Sequence, residues 1–242
     1  MIALGIAITL GNTLLLVVSF LRRRFPLPSY GWIGLGLLLI AELQMFCRVW
    51  PVTVYFTPLA WTAYILLVDA MVLAVSGRSR LHDAPRKFFV TALLSIPLWL
   101  IFEAYNLRLA NWTYVGVPIN WAGALLGYGW SFATITPAIF ETADLIETFG
   151  WFPRAQPVAF SKAAENTMIT FGAACLIVPV VVPQHVGAYL FGLVWIGFLF
   201  LLDPVNHCVG WPSLLEDLAD GRRDRFYSLL ISGWICAWYC PL

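Results

Sequence analysis

The chain has 242 residues, of which 61% are hydrophobic and only 11% are charged, and its formal net charge is +1. Soluble domains carry about 25% charged residues. This chain therefore has too few polar side chains to cover a globule in water, and its composition predicts a protein embedded in the lipid bilayer. The sequence also has no Lys/Arg run long enough to follow a nucleic-acid backbone, which excludes nucleic-acid binding as the main function.

Long apolar segments recur from one end of the chain to the other. A bilayer core about 30 Å thick is crossed by about 20 helical residues. The segments are almost continuously apolar rather than alternating, which favours helices over barrel strands. We therefore predict an all-α, polytopic transmembrane helix bundle that forms a single domain over residues 1–242. About eight spans are expected, at 2–21, 29–47, 53–75, 88–106, 122–146, 166–182, 187–203 and 226–242.

The basic residues predict how these spans are oriented. If the N-terminus is outside, only Arg48 and Arg108 lie in outer loops, and the other 12 of the 14 Lys and Arg residues lie on the inner side. Short loops rich in Lys and Arg stay in the cytoplasm. The first apolar segment has its arginines after it rather than before it, unlike a cleaved signal peptide. The sequence thus predicts a multi-pass protein of the cell inner membrane.

Two regions of the chain resemble each other and predict an internal repeat. In both 65–103 and 198–240 an apolar helix ends near an aspartate, a basic loop follows, and a second helix begins with an aromatic residue. The regions lie four spans apart, so both copies have the same orientation, as in parallel membrane repeats. Matched pairs are Asp69 with Asp203, Phe89 with Phe226, and Ser95 with Ser232.

The repeat subdivides the predicted domain. Residues 1–52 form leading helices, 53–147 a first repeat with an acidic site, and 187–242 an incomplete second repeat. The predicted repeats pair spans 3 and 4 with spans 7 and 8. Glu103 of the first copy then falls opposite Cys240, so we expect the natural protein to continue beyond this point.

Acidic residues inside the predicted spans mark a candidate site. A carboxylate at the bilayer centre costs about 2.5–3.5 kcal/mol on insertion scales, so these side chains should face a shared interior shielded from lipid. The topology places two of them in the outer third of the membrane and three in the inner third. The five residues are, in the outer third, Glu42 and Glu103 and, in the inner third, Asp69, Glu141 and Asp144.

Metal and cofactor chemistry has little support in the sequence. The five cysteines include no Cys-x-x-Cys pair, and the three histidines lack metal-ligand spacing. We predict neither a metal nor a cofactor. Buried carboxylates can hold and deliver protons, and we predict Asp69, Glu103 and Glu141 as the catalytic or proton-carrying groups.

The order of features over residues 102–141 resembles the lycopene cyclase domain of the heterodimeric and fused bacterial, archaeal and fungal type. Glu103 is followed by Asn111-Trp112-Thr113-Tyr114, by Gly127-Tyr128, and by a Pro137 to Glu141 element. Where that family has paired glutamates, this chain has the single Glu141, one residue further from the proline. The resemblance implies a membrane enzyme that cyclises polyene ends by protonation.

On this reading a hydrophobic small molecule is the substrate. Glu141 donates the proton, and Glu103 or Asp69 adjusts how readily Glu141 gives it up. The residues predicted to bind the substrate are Trp112, Tyr114, Asn106, Asn111 and Asp144. Two other functions remain open, namely a proton-coupled carrier of a small solute and a non-catalytic subunit or assembly factor of a membrane complex, whose protein partner the sequence does not identify.

Overall fold

The structure is a computed structural model that describes residues 2–118 and 120–239. Every regular element in these ranges is helical, which confirms the all-α prediction. Each of the eight predicted segments falls mainly on a helix, with residues 240–242 of the last one outside the described residues. The helices are α1 Ile2–Arg22, α2 Ser29–Phe46, α3 Val52–Ser76, α4 Arg80–Asp83, α5 Pro85–Leu109, α6 Trp121–Glu147, α7 Lys162–Val181, α8 Gln184–Gly187, α9 Phe191–Cys208, α10 Leu214–Ala219 and α11 Asp224–Tyr239, with a 3-10 turn at Ala188–Leu190.

Five helical stretches among the described residues are long and apolar enough to cross a membrane. These are α2, α3, α5, α7 and the continuous stretch Gln184–Cys208. The chain thus has the helices of a membrane protein, as predicted. Eight crossings and an outer N-terminus remain predictions.

The chain divides into two compact units, which we call unit 1 and unit 2. Unit 1 comprises Met1–Pro97, Tyr114–Gly150 and Ser228–Leu242, and unit 2 comprises Leu98–Thr113 and Trp151–Tyr227. Helix α5 begins in unit 1 and ends in unit 2, and α11 does the reverse. The single domain and the repeat boundaries stay predictions, and Cys240, the predicted counterpart of Glu103, lies outside the described residues.

Helix α3 forms the core of unit 1. Ala63, Val68 and Ala70 are fully buried in it. Helix α2 comes so close that a Cβ added at Gly34 would lie 2.8 Å from both the Ala63 carbonyl oxygen and the Leu67 nitrogen. Small residues permit this backbone approach between membrane helices, where dispersion contacts replace the hydrophobic effect.

Unit 2 is built on the packing of α7 against α9. A Cβ added at Gly172 of α7 would lie 2.4 Å from the Leu201 nitrogen and 2.8 Å from the Gly197 carbonyl oxygen. Val194 of α9 is fully buried. As in unit 1, a glycine on the first helix of the pair sets the distance to the second.

A short capped helix follows the long central helix of each unit. The Ser79 hydroxyl accepts the His82 N–H at 3.3 Å to begin α4, and the Ser213 hydroxyl accepts the Glu216 N–H at 3.0 Å to begin α10. Serine is a preferred N-cap because it satisfies an N–H group that the helix leaves free.

Candidate functional site

Glu141 is one of the two fully buried acids among those predicted. It lies in α6 with none of its surface exposed. Neither of its carboxylate oxygens has a hydrogen-bond donor among the described residues. Buried polar groups nearly always find a partner, and those that do not need a specific explanation. A buried carboxyl group without a donor therefore marks a candidate functional site.

Asp69 lies beside Glu141 in unit 1 and is also fully buried. Unlike Glu141, it is held by three donors. The Tyr30 hydroxyl donates to Oδ2 at 2.6 Å, the Ser79 hydroxyl donates to the same oxygen at 2.9 Å, and the Leu81 N–H donates to Oδ1 at 2.9 Å. These bonds tie α2, α3 and α4 together.

Asp144 lies on the same face of α6 as Glu141, three residues later, and is paired with an arginine. The Arg80 guanidinium donates from Nε to Oδ2 at 2.5 Å and from Nη2 to Oδ1 at 2.8 Å. The same guanidinium lies over the Phe140 ring, 5.1 Å from its centroid. This two-bond geometry is the strong form of an arginine–carboxylate pair, and it fixes α4 against α6.

The three acids of unit 1 form one electrostatic cluster. The carboxyl group of Glu141 interacts with the charges of Asp69, Asp144 and Arg80. Two of these neighbours are acids with their own partners, and one is a cation already bonded to Asp144. Asp69 and Glu141 are thus fully buried near each other, and Asp144 lies beside them with its side chain 18% exposed.

Glu103 lies in unit 2 and is half-buried on α5. The Trp99 indole N–H, one helical turn earlier, donates to Oε1 at 3.1 Å. Trp99 itself packs against Phe102 and Trp195, with ring centroids 5.6 and 5.4 Å away. Glu103 is therefore bonded to a tryptophan of an aromatic cluster, and it is assigned to a different unit from the cluster around Glu141.

The predicted polar substrate ligands of unit 2, Asn106 and Asn111, form hydrogen bonds that hold the loop after α5. Asn106 donates from Nδ2 to the Trp112 carbonyl at 2.9 Å, and its Oδ1 accepts the N–H groups of Asn111 and Trp112 at 2.9 and 3.1 Å. Asn111 donates to the Ala188 carbonyl at 2.9 Å. These bonds satisfy the backbone after α5 ends, a structural role that the sequence pattern did not indicate.

The two predicted aromatic ligands lie in different units. The Trp112 ring packs edge-on against Phe191 in unit 2, with centroids 4.5 Å apart, and its buried indole N–H has no acceptor among the described residues. Tyr114 lies in unit 1, where its ring packs edge-on against Tyr128 at 5.1 Å. The structure does not bring these two rings together within one unit.

Glu42 departs from the expectation that every membrane acid faces the interior. It is exposed on α2 of unit 1. Its position gives it no part in the cluster around Glu141, and it offers a matched control for substitutions there.

Sequence reasoning missed three partners of the cluster, Tyr30, Ser79 and Arg80. Arg80 could have been found, since it lies on the same predicted side as Asp69, Glu141 and Asp144. Ser79 also has a signal, because Ser79-Arg80-Leu81-His82-Asp83 and Ser213-Leu214-Leu215-Glu216-Asp217 share Ser, Leu and Asp at the same spacing. Tyr30 has no such signal, because only the packing of α2 on α3 brings its hydroxyl to Asp69.

A second polar cluster in unit 2 was also missed. Glu165 of α7 is buried, and its two oxygens meet His207 Nδ1 at 2.7 Å and the Cys208 thiol at 3.2 Å. The contact ties the start of α7 to the end of α9. Across the described residues, no group of three or more His, Cys, Asp or Glu side chains is arranged to hold a metal ion.

No family model, curated protein or solved structure matches the chain.

Proposed function

We propose that the chain is an integral membrane protein of the inner membrane with eight spans and an outer N-terminus. Five helical stretches of spanning length support this placement, together with helices at the other three predicted segments. The strong bias of Lys and Arg residues toward one side supports the orientation.

We further propose that the two helix pairs, α2–α3 and α7–α9, are copies of one ancestral unit in parallel orientation. Each pair has a glycine contact at corresponding positions of its second helix, then an aspartate, then a serine-capped short helix. The correspondences keep the same interval along the chain. They are Ala63 with Gly197, Leu67 with Leu201, Asp69 with Asp203, Ser79 with Ser213, and Leu81 with Leu215.

The proposed function is proton transfer at Glu141. The observation that carries it is the full burial of this carboxyl group without a donor for either oxygen. An ionised carboxylate in such a place would be costly, because an apolar interior does not solvate charge. We propose that Glu141 carries a proton and that this proton is the one delivered.

The proposed acceptor is a carbon–carbon double bond of an isoprenoid or carotenoid dissolved in the bilayer. Protonation of one alkene carbon by Glu141 leaves a carbocation on the other. Attack by a second double bond closes a ring, and loss of a proton from a neighbouring carbon to a carboxylate restores an alkene. The product is an isomer of the substrate, so no oxidant or reductant is needed. This chemistry rests on the family resemblance and on the acid cluster of unit 1.

In this proposal the acids of unit 1 carry the chemistry. Glu141 is the proton donor, and Asp69 and Asp144 set its electrostatic surroundings. The assignment of Glu103 as a tuning acid, and of Trp112, Tyr114, Asn106 and Asn111 as substrate ligands, remains a prediction from the sequence. The hydrogen bonds of Asn106 and Asn111 favour a structural role for both.

Expression in a host that accumulates lycopene tests the proposal. The wild-type chain should convert the pigment to a cyclised isomer, detected by chromatography and an unchanged molecular mass. Glu141→Gln should abolish conversion, because an amide cannot deliver a proton. Glu42→Gln, which changes an exposed acid outside the cluster, should leave conversion intact. An unchanged pigment profile with well-expressed wild-type protein would contradict the polyene assignment.

A proton-coupled carrier of a small solute is the second candidate. The observation that favours it is the correspondence between the two helix pairs, because duplicated units are common in transporters. Uptake driven by a proton gradient and lost in Glu141→Gln would support this function.

The third candidate, a non-catalytic subunit, is favoured by the structural bonds of Asp69 and Asn106. Co-purification of a stable protein partner would support it, provided that the Glu141→Gln variant binds this partner as well as the wild type does.

A further inference from the structure

A small cleft opens on unit 1 between the start of α5 and the middle of α6. Its volume is about 80 Å³, and its lining includes Arg80, Lys87, Phe88, Thr91, Pro137 and Phe140. None of these residues is an acid. The cleft therefore combines two cationic side chains with two aromatic rings, a composition suited to an anion attached to an apolar body. The Thr91 hydroxyl donates to the Lys87 carbonyl at 2.9 Å.

The two cations of the cleft differ in their partners. Arg80 is bonded to Asp144 and lies over the Phe140 ring, so it is fixed in place. Lys87 is exposed, and no ion pair to it is found within the described residues. Its charge is thus available to an anion at the mouth of the cleft.

More exposed cations lie at the end of unit 1 where α1 and α3 end. The backbone N–H groups of Arg24 and Phe25 donate to the Ala74 carbonyl, which brings the end of α1 to the end of α3. The exposed cations near this end are Arg22, Arg23, Arg24, Arg78 and Arg86. Such clusters beside a membrane span attract anionic lipids at about 1 kcal/mol for each Lys or Arg near the surface.

An apolar surface continues from the cleft along α5. Phe89, Val90, Leu93 and Leu94 are 46–66% exposed in the structure. Lys87 lies in the first turn of this helix and Thr91 one turn further. The surface of α5 therefore changes from charged to apolar within two turns. This change from polar to apolar matches the length scale of a phospholipid headgroup joined to its acyl chains.

We propose that the cleft binds the headgroup phosphate of an anionic phospholipid, with Lys87 as its principal ligand and the acyl chains along the exposed face of α5. The cleft is large enough for a phosphate group and too small for a whole lipid, whose tails would remain in the bilayer. The site lies outside the carboxyl cluster and does not depend on proton transfer at Glu141.

Native mass spectrometry of the full chain, exchanged into phosphatidylglycerol or phosphatidylcholine, tests the proposal. The wild-type protein should retain phosphatidylglycerol in preference to phosphatidylcholine. Lys87→Gln should reduce that retention by more than about fivefold, the factor that corresponds to about 1 kcal/mol of diffuse attraction for one interfacial cation, because the direct contact with the phosphate is lost as well. Lys87→Arg should restore it, because the positive charge is kept.

Arg86→Gln is the matched control, since Arg86 lies in the same turn of α5 but does not line the cleft. It should reduce retention by at most about fivefold, the diffuse attraction of one interfacial cation, and clearly less than Lys87→Gln does. Equal losses in Lys87→Gln and Arg86→Gln would overturn the proposal in favour of diffuse charge attraction, as would equal retention of the two lipids. Displacement of the lipid by millimolar inorganic phosphate would overturn the lipid assignment, because a free anion would then suffice. Melting curves of both variants exclude loss of the fold as the cause.

Discussion

The Asp203 carboxylate accepts a backbone N–H at the start of α10, as the Asp69 carboxylate does at the start of α4. Asp203 Oδ2 accepts the Leu215 N–H at 3.0 Å, and Asp69 Oδ1 accepts the Leu81 N–H at 2.9 Å. The carboxylate at the end of a long apolar helix thus satisfies the free N–H groups of the short helix that follows. The two residues differ in their other partners, because Asp203 accepts a second backbone N–H, from Leu214, whereas Asp69 accepts two hydroxyl groups.

We predict that Asp203→Ala destabilises the protein by about 1–3 kcal/mol, since it leaves two helix N–H groups without their acceptor. Asp69→Ala should cost more, about 2–5 kcal/mol, because three donors in a buried site lose their partner. Chemical unfolding in detergent measures both. Glu42→Ala, at an exposed position, should stay close to wild type. Equal stability of all three variants would contradict the capping role.

The glycine contacts give a second prediction. Gly34→Ala and Gly172→Ala should each destabilise the protein by about 1–3 kcal/mol, because the new Cβ would meet helix backbone at 2.8 and 2.4 Å. Gly36→Ala and Gly192→Ala are matched controls on α2 and α9, where nothing lies within 4 Å. These controls should be neutral or up to about 1 kcal/mol more stable, because alanine favours helix. Thermal unfolding separates the two pairs.

The sequence predicted the helices well because each is encoded locally. A run of about 20 apolar residues has few alternatives to helix in a membrane, so all eight segments were found. The full burial of Asp69 and Glu141 agrees with the expectation that ionisable groups in apolar spans face the protein interior, whereas Glu42 is exposed.

The partners of these acids were harder to predict. Tyr30 reaches Asp69 from 39 residues away, a distance fixed only when α2 packs on α3. Asn106 and Asn111 looked like substrate ligands because they follow Glu103 closely, yet they satisfy loop backbone that no periodic pattern describes. Glu165 was overlooked because it precedes the predicted span, and its pairing with His207 depends on the packing of α7 on α9.

The pair formed by Arg80 and Asp144 gives a third prediction. Arg80→Gln should destabilise the protein by about 1–2 kcal/mol, a value between those of exposed and buried pairs, because the two side chains are 38% and 18% exposed. Asp144→Asn should cost a similar amount. The double variant should be more stable than the sum of the two losses predicts, since neither charge is then left alone. Additive losses in this double-mutant cycle would contradict a direct coupling.

Substitution of Glu141, unlike that of Arg80 or Asp144, should not destabilise the protein, because no hydrogen-bond donor in the described part of the chain contacts its carboxyl group. We expect Glu141→Gln and Glu141→Met to unfold within about 1 kcal/mol of wild type or to be more stable, since removing a buried polar group without a partner relieves its desolvation. Both variants should lose the proposed proton-transfer activity. Infrared spectroscopy should show a protonated carboxyl band in the wild type that is absent from Glu141→Gln. A large loss of stability in both variants would indicate that Glu141 braces the fold instead.

Two native cysteines test the proposed orientation. Cys47 follows α2 and Cys208 ends α9, and both are exposed. The eight-span topology puts Cys47 outside and Cys208 inside, whereas Cys175 and Cys236 are buried and should not react. In intact cells, in a Cys240→Ser background, a membrane-impermeant maleimide should label Cys47 alone, and Cys208 should react only after permeabilisation. Cys47→Ser and Cys208→Ser identify each signal. Labelling of Cys208 but not Cys47 in intact cells would mean that the orientation is inverted, and labelling of both would mean that the number of crossings between them is even.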